Sequence, residues 1–344
     1  MRLAFLSLAA AAAAAARFER RNGPPGSDAG DFHCPCGTMA LESQLARMVA
    51  TSYDDKGIRS LESYAKDIFS CYSWSDFYYK LESRGIVSAV LAKVKWTEPI
   101  ALVGRCAMKP ATCTLAFSGA ANLNFVAGIM DYKPVNLRRN SSGSLEAVKE
   151  FTAGSHRFHR FYWEVYEDFR AQVGSKVVEA LQGCEHVTIT GHSIGAALAA
   201  AFQWEHLERN MQQITMGQNT AWFGAPPDVG CRGKRLYKED DPVPWLRQFW
   251  SGGDVVRHAL VPGQMLASPR LGHQAWFAEP LGSCEADEPM DPACVDGCSP
   301  LGPHYNLKIG LGIGAHQASA YIAATDSAFN MSKLSHEAER ATSE

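Results

Sequence analysis

Residues 187–200, Val-Thr-Ile-Thr-Gly-His-Ser-Ile-Gly-Ala-Ala-Leu-Ala-Ala, restrict the possible folds more than any other stretch of the chain. A β-branched run ends in Gly191-His192-Ser193-Ile194-Gly195, and an alanine-rich run follows at once. β-Branched residues favour strands and alanine favours helices. The order therefore predicts a strand over Val187–Thr190, a sharp turn, and a helix to about Leu207. Small residues two positions either side of a serine let strand and helix cross closely enough for that turn to close. The turn lifts the serine oxygen clear of a sheet and sets it over a helix N-terminus, where free N–H groups favour developing negative charge.

Elsewhere, predicted strands and helices alternate. Apolar residues recur at helical spacing from Ala40 to about Tyr53 and from Ile58 to Ser70. β-Rich runs follow at Ile86–Trp96, Ile100–Cys106 and Thr112–Phe117, the last halted by Ser118-Gly119. His156–Val173 carries five aromatics (Phe158, Phe161, Tyr162, Trp163, Tyr166) and reads as a helix that restarts after Gly174 towards Leu181. Ala221–Phe223 and Arg235–Lys238 read as further strands. Such alternation predicts an α/β domain with a mainly parallel central sheet flanked by helices. The chain has no internal repeat, and no linker divides it.

The N-terminus reads Met1-Arg2, an apolar run from Leu3 to Ala16, then Arg17, the pattern of a secretory signal peptide over residues 1–16. Its fourteen-residue apolar centre falls short of the roughly 20 residues needed to span a bilayer. No later stretch is long and apolar enough to span, so no transmembrane segment is expected in the mature chain. Residues 17–37 are Gly/Pro-rich and polar, and 17–39 reads as a loose leader in which Arg20-Arg21 is a candidate end of a short pro-segment. The folded domain is expected over 40–330, with a polar tail at 331–344. Ten cysteines fit an oxidising compartment and suggest disulfides without fixing their pairing. Cys34-Pro-Cys36 has one intervening residue, not the two to four of common zinc sites. Asn140 and Asn330 open Asn-X-Ser sequons, so a secreted, glycosylated chain is expected. With 33 basic against 36 acidic side chains, the chain lacks the basic excess that nucleic acid requires.

A serine is a weak nucleophile until a histidine takes its proton, and the histidine needs a carboxylate to orient it. Downstream of Ser193, Leu236-Tyr-Lys-Glu-Asp240-Asp241-Pro242-Val243-Pro244 places an acid at the C-terminal end of a predicted strand, stopped by proline. An ordinary solvated turn has the same composition.

Four segments now stand in order: Thr114-Leu-Ala-Phe-Ser118-Gly119-Ala120, Gly191-His-Ser193-Ile-Gly195, Trp222-Phe-Gly224-Ala-Pro226-Pro-Asp-Val-Gly230, and Asp241-Pro-Val-Pro. Together they resemble the oxyanion strand, nucleophile elbow, Phe-Gly-x-Pro-x-Val-Gly segment and acid motif of the class 3 lipases, the fungal-type triacylglycerol lipase family of α/β-hydrolases. The resemblance spans about residues 86–322 and implies the α/β-hydrolase fold, with no metal and no cofactor. It implies Ser193 as nucleophile and Asp241 as triad acid. Gly191 and Gly195 become the glycines of the elbow, and the backbone N–H groups of Ala120 and Ile194 the oxyanion hole. The family's Arg-Gly-Thr or Arg-Gly-Ser at the oxyanion turn is Ser118-Gly119-Ala120 here, which keeps a backbone donor but adds no hydroxyl.

The histidine has five candidates after Asp241: His258, His273, His304, His316 and His336. His316 is preferred, because Leu311-Gly-Ile-Gly-Ala-His316 with Tyr321 beyond resembles the family's apolar-x-x-Asp-His-x-x-Tyr segment, although Ala315 replaces the aspartate and the tyrosine comes two residues late. His304 is the runner-up. Residues 122–135 stand where the family carries a lid, and Leu123, Val126, Ile129 and Met130 recur at near-helical spacing; a helix packed permanently on the core reads the same. His156 and His159 are spaced to share a helix face, and His159 falls near a structural histidine of the family. The resemblance also implies a disulfide near Cys284 and Cys294. The expected activity is a secreted serine esterase acting on glycerolipid esters, with lipid or ester as its only implied partner, met at a lipid–water interface. Phospholipase A1, galactolipase or feruloyl esterase action on the same triad, or an inactive lipid- or partner-binding protein, are its alternatives.

Overall fold

In the computed structural model, the strand before Ser193 is the middle member of a seven-stranded sheet. The structure describes residues 29–52, 68, 70–82, 95–119, 133–219, 221–224, 226–229, 233–238, 241, 243, 256–257, 263–266, 316–328 and 330. The strands are β1 (Tyr72–Glu82), β2 (Lys95–Cys106), β3 (Thr112–Phe117), β4 (Pro134–Arg139), β5 (Leu145–Val148) and β6 (Ser155–His159), then β7 (His186–Gly191), β8 (Met211–Met216), β9 (Trp222–Phe223), β10 (Gly233–Lys238), β11 (Val256–Arg257) and β12 (Gly263–Leu266). Helices are α1 (Ala29–Phe32), α2 (Leu41–Thr51), α3 (Arg160–Phe169), α4 (Ser175–Ala180), α5 (Ile194–Glu205) and α6 (318–328).

The large sheet has the order β1-β2-β3-β7-β8-β10-β12. From β3 onward every pairing is parallel, and β1 and β2 form an antiparallel edge. Parallel neighbours need crossovers, and helices supply them: α3 and α4 before β7, α5 between β7 and β8. Alternation along the strands sorts the core into two layers. Leu115, Phe117, Val187 and Ile189 meet Tyr162, Val165 and Phe169 of α3 and Leu198 and Phe202 of α5 on one face. Leu102, Ala116, Ile214, Met216 and Leu236 meet Leu45, Met48 and Val49 of α2 and Tyr321 and Ile322 of α6 on the other. A sheet covered on both faces is what strands this apolar require. Every residue of α5 is buried, and its alanines let it sit close on the sheet. Among the described residues no helix is long and apolar enough to cross a membrane.

A second sheet, β11-β9-β6-β4-β5, is antiparallel throughout. It corrects several expectations. Residues 155–159 form β6 rather than the start of a helix, because they pair with β4; His156 and His159 therefore lie on a strand and share no helix face. The aromatic helix begins only at Arg160. It does not break at Gly174 but runs through a π turn (Arg170–Gly174) into α4. There, Glu205 accepts hydrogen bonds from Arg170 (2.8 Å), the Tyr166 hydroxyl (2.5 Å) and the Leu145 N–H (3.0 Å). Strands β1, β4, β5, β8 and β12 lie where no strand was expected. Residues 95–106 form one strand through Pro99, while 83–94 lie outside the described residues.

The leader expected over 17–39 is tied down from α1 onward. Cys34 bonds Cys106 and Cys36 bonds Cys71, both Cys34 and Cys36 being buried. Gln44 of α2 donates to the carbonyls of Cys34 and Met39 and accepts from the Tyr72 hydroxyl. Cys113–Cys184 closes the third described bridge. Residues 1–28, the cysteines beyond 184 and the tail after 330 lie outside the described residues.

Candidate active site

Ser193 sits between the last residue of β7 and the first of α5, with φ +56° and ψ −125°. Among the described residues no other non-glycine residue has a positive φ. Such a conformation costs about 1–3 kcal/mol and persists only where its surroundings hold it. They do: the Ser193 N–H donates to the Met216 carbonyl (3.1 Å), and Gly195 and Ala196 close the turn onto His192 and Ser193. Both flanking glycines are sterically required. A Cβ at Gly191 would lie 2.4 Å from the Gly195 backbone, and one at Gly195 would lie 2.5 Å from the carbonyl oxygens of Phe117 and Ser118. That second contact lays the exit of β3, Phe117-Ser118, against Gly195 in the first turn of α5. Ala120 lies outside the described residues, as do His304 and the proposed lid residues Leu123, Val126, Ile129 and Met130. The end of the expected lid differs: Pro134 and Val135 already belong to β4.

Asp241 follows β10, two strands from the elbow. Its side chain is fully buried. Nδ1 of His316, just before α6, donates to it at 3.0 Å (Oδ1) and 2.9 Å (Oδ2), although the two residues are 75 positions apart. The Tyr321 hydroxyl donates to Oδ2 at 2.6 Å, and the Val243 N–H to Oδ1 at 2.9 Å. Burial pushes the Asp241 pKa up, but the His316 charge and these hydrogen bonds outweigh it and hold the carboxyl below its ordinary value. It is therefore an anion that accepts from three directions. With Nδ1 committed, His316 has Nε2 left, buried and without a hydrogen-bond partner among the described residues. A buried imidazole nitrogen with nothing to bond is poised to take a proton from a group brought to it.

Sequence reasoning missed Gly217. It follows β8 directly, with φ +54°, and its N–H donates to the Leu236 carbonyl at 2.8 Å. A Cβ there would stand 2.9 Å from Asp241 Oδ2, 3.0 Å from the Tyr321 hydroxyl and 3.1 Å from His316 Cε1. The backbone at this glycine is the floor beneath all three groups. Its sequence signal is a glycine closing an apolar-and-polar run (Gln212–Met216) that does not read as a strand. Gly217→Ala is expected to fold yet lower ester turnover on the order of 10²-fold, since displacements near 1 Å cost that much. Wild-type turnover in this variant, measured on a soluble chromogenic ester, would show that the three groups have room to shift.

The Trp222–Gly230 segment, which carried part of the resemblance, contributes β9 to the second sheet, and β8 is the large-sheet strand beside the elbow strand. His159 is buried and stacks on Tyr162, with ring centroids 4.1 Å apart. Among the described residues no group of His, Cys, Asp or Glu is arranged to hold a metal ion.

A mainly parallel sheet, a strained serine at a strand–helix elbow and an Asp–His pair beyond the strand ends give the chain the arrangement of the α/β-hydrolase fold. Residues 131–246, about a third of the chain, match the class 3 lipase family, and that segment runs from just before β4 past Asp241. That segment carries the likeness to a lipase family. Solved structures similar to it include the native Rhizomucor miehei lipase propeptide complex (18% identity, TM-score 0.41, covering 72% of this chain and 78% of that one). A Yarrowia lipolytica Lip2 lipase is similar at 14% identity (TM-score 0.43; 66% and 78% covered), and a Penicillium expansum triacylglycerol lipase at 13% (TM-score 0.40; 70% and 83% covered). No curated protein sequence matches the chain.

Proposed function

We propose that the protein is a secreted serine esterase that hydrolyses glycerolipid esters, triacylglycerols first, through an acyl-enzyme. The observation that carries this reading is the Asp241–His316 pair, whose Nε2 has no hydrogen-bond partner among the described residues and whose imidazole packs on His192, the neighbour of the elbow serine. In the proposed reaction Ser193 Oγ attacks the ester carbonyl carbon while Nε2 of His316 takes its proton. The backbone N–H groups of Ile194 and Ala120 hold the oxyanion, and Asp241 stabilises the imidazolium. Collapse of the tetrahedral intermediate expels the alcohol, which leaves with the proton from His316. Water, deprotonated by the same histidine, then cleaves the acyl-serine and releases the carboxylic acid. Secretion is supported by three disulfides in the described part of the chain, since such bonds persist in oxidising compartments.

A panel of emulsified triacylglycerol, phospholipid, galactolipid and feruloyl ester, with Ser193→Ala as control, tests the reading. Fatty acid release from triacylglycerol, absent in the control, is expected. Release only from another member of the panel would keep the triad and change the substrate class, because fold does not choose the substrate. A folded protein inert on the whole panel would instead favour a lipid- or partner-binding role.

A further inference from the structure

We infer that His192, the residue before the elbow serine, is a positioning residue for His316: its ring is the wall against which the His316 imidazole rests. This rests on the reading of His316 as the base. The His192 ring is buried, and its centroid lies 4.5 Å from that of His316 at an interplanar angle of 35°. Its side chain also hydrogen-bonds the His316 backbone, and the Tyr321 ring meets it edge-on at 5.5 Å. Behind it, the His192 backbone bridges to Met216, which fixes the wall to the end of β8.

The need for a wall follows from the other contacts of His316. Asp241 holds one edge of the ring through Nδ1, and a ring pinned at one edge still pivots about that edge. Pivoting swings Nε2 away from the path of the serine hydroxyl. A flat group against the imidazole face removes that freedom. His192 and Ser193 are consecutive, so the wall is registered to the nucleophile: whatever moves the serine moves the surface that orients its base. Charge is compatible with this arrangement. Burial, with the nearby His316 charge, lowers the His192 pKa to about 3 despite the opposing effects of Asp241 and the hydrogen bond to His316. A neutral ring therefore faces the imidazolium that forms on His316 during turnover, and the stack does not repel it.

The test is steady-state hydrolysis of a soluble chromogenic ester by three proteins beside wild type. His192→Leu keeps apolar bulk but presents no ring, and its kcat is expected to fall about 10²-fold. Because substrate contacts are untouched, its KM should stay within about twofold. His192→Phe restores a ring without the hydrogen bond, and should recover about tenfold or more of the lost kcat. A purely structural role would not divide the effect between kcat and KM, nor be rescued by a ring. Should the Leu protein not fold, His192→Gln takes its place; it keeps a donor for the His316 backbone, lacks a ring, and is expected to show the same loss. A near-wild-type kcat in the ringless variant, or a Phe variant as slow as it, overturns the inference. His316→Ala is measured in parallel. Loss there with unaltered kcat in the ringless variant removes only the role of His192, whereas full activity in His316→Ala removes the functional reading and this inference together.

Discussion

Replacing Ser193 by alanine is expected to yield a folded protein whose ester hydrolysis is slower by at least about 10³-fold. Fold and chemistry separate cleanly at this position. The backbone strain at φ +56° is the same for alanine as for serine, since both carry one Cβ and the turn is closed by main-chain hydrogen bonds from residues 193, 195 and 196. Only Oγ is removed, and with it the atom that forms the acyl-enzyme. What rate remains would come from binding and from the N–H groups at the start of α5, which stabilise an oxyanion whichever nucleophile attacks. Thermal melting of the two proteins checks the first half of the expectation, and turnover on a soluble ester checks the second. A folded Ser193→Ala protein with wild-type turnover would contradict the assignment of the nucleophile.

The second large effect is expected at Asp241. Asparagine has nearly the same shape, but its NH2 group faces donors. The Tyr321 hydroxyl and the Val243 N–H already donate into this site, as does Nδ1 of His316. To satisfy the amide, His316 must turn its protonated nitrogen elsewhere, which leaves Nε2 carrying a hydrogen and unable to act as base. Turnover should fall by about 10³–10⁴-fold, the scale of a wrong-tautomer triad. The same substitution changes acid stability, and the sign is fixed. The folded-state pKa of Asp241 lies below its ordinary value of 3.8, because the His316 charge and hydrogen bonds outweigh the burial that would raise it. A carboxyl whose pKa is lower folded than unfolded stabilises the protein fully above the unfolded value, and that contribution is lost as pH falls through the folded value. Wild type should therefore lose more thermal stability than Asp241→Asn between neutral pH and pH values below 3.8. Parallel loss in both proteins would mean that the carboxylate is not held as an anion by these contacts.

Local chemistry explains which parts of this architecture are readable from sequence. β7, the elbow and α5 are legible because each rests on residues within a few positions: β-branched Val187–Thr190, the two glycines that allow the crossing, and the alanines of the buried helix. β8 is hidden because Gln212 and Gln213 interrupt its apolar pattern. The Gln212 amide donates to Thr188, 24 positions away, and the Gln213 amide to Gln218 beyond the strand's end, so neither partner shows in the strand's own pattern. β6 is hidden by its aromatics, which continue into α3 at spacing compatible with a helix; its strand identity comes from pairing with β4. The loose reading of residues 29–39 failed on composition, since Gly and Pro mark turns but say nothing of disulfides that fix them.

In the site, Asp241 shows in sequence through the strand and prolines around it. Its pairing with His316 does not, because the contact joins positions 75 apart. Tyr321 looks displaced when spacing is counted from His316, yet α6 begins only at residue 318, and its hydroxyl reaches Asp241 from inside that helix. Gly217 and His192 act through neighbours in space alone.

The central claim is that Ser193 is a nucleophile activated by His316. It is tested most directly by treating the folded protein with a fluorophosphonate and mapping the adduct by mass spectrometry. One phosphonyl group on Ser193 is predicted, formed far more slowly in His316→Ala and absent in Ser193→Ala. A folded wild-type protein that stays unlabelled at Ser193, or labels equally fast without His316, would contradict it.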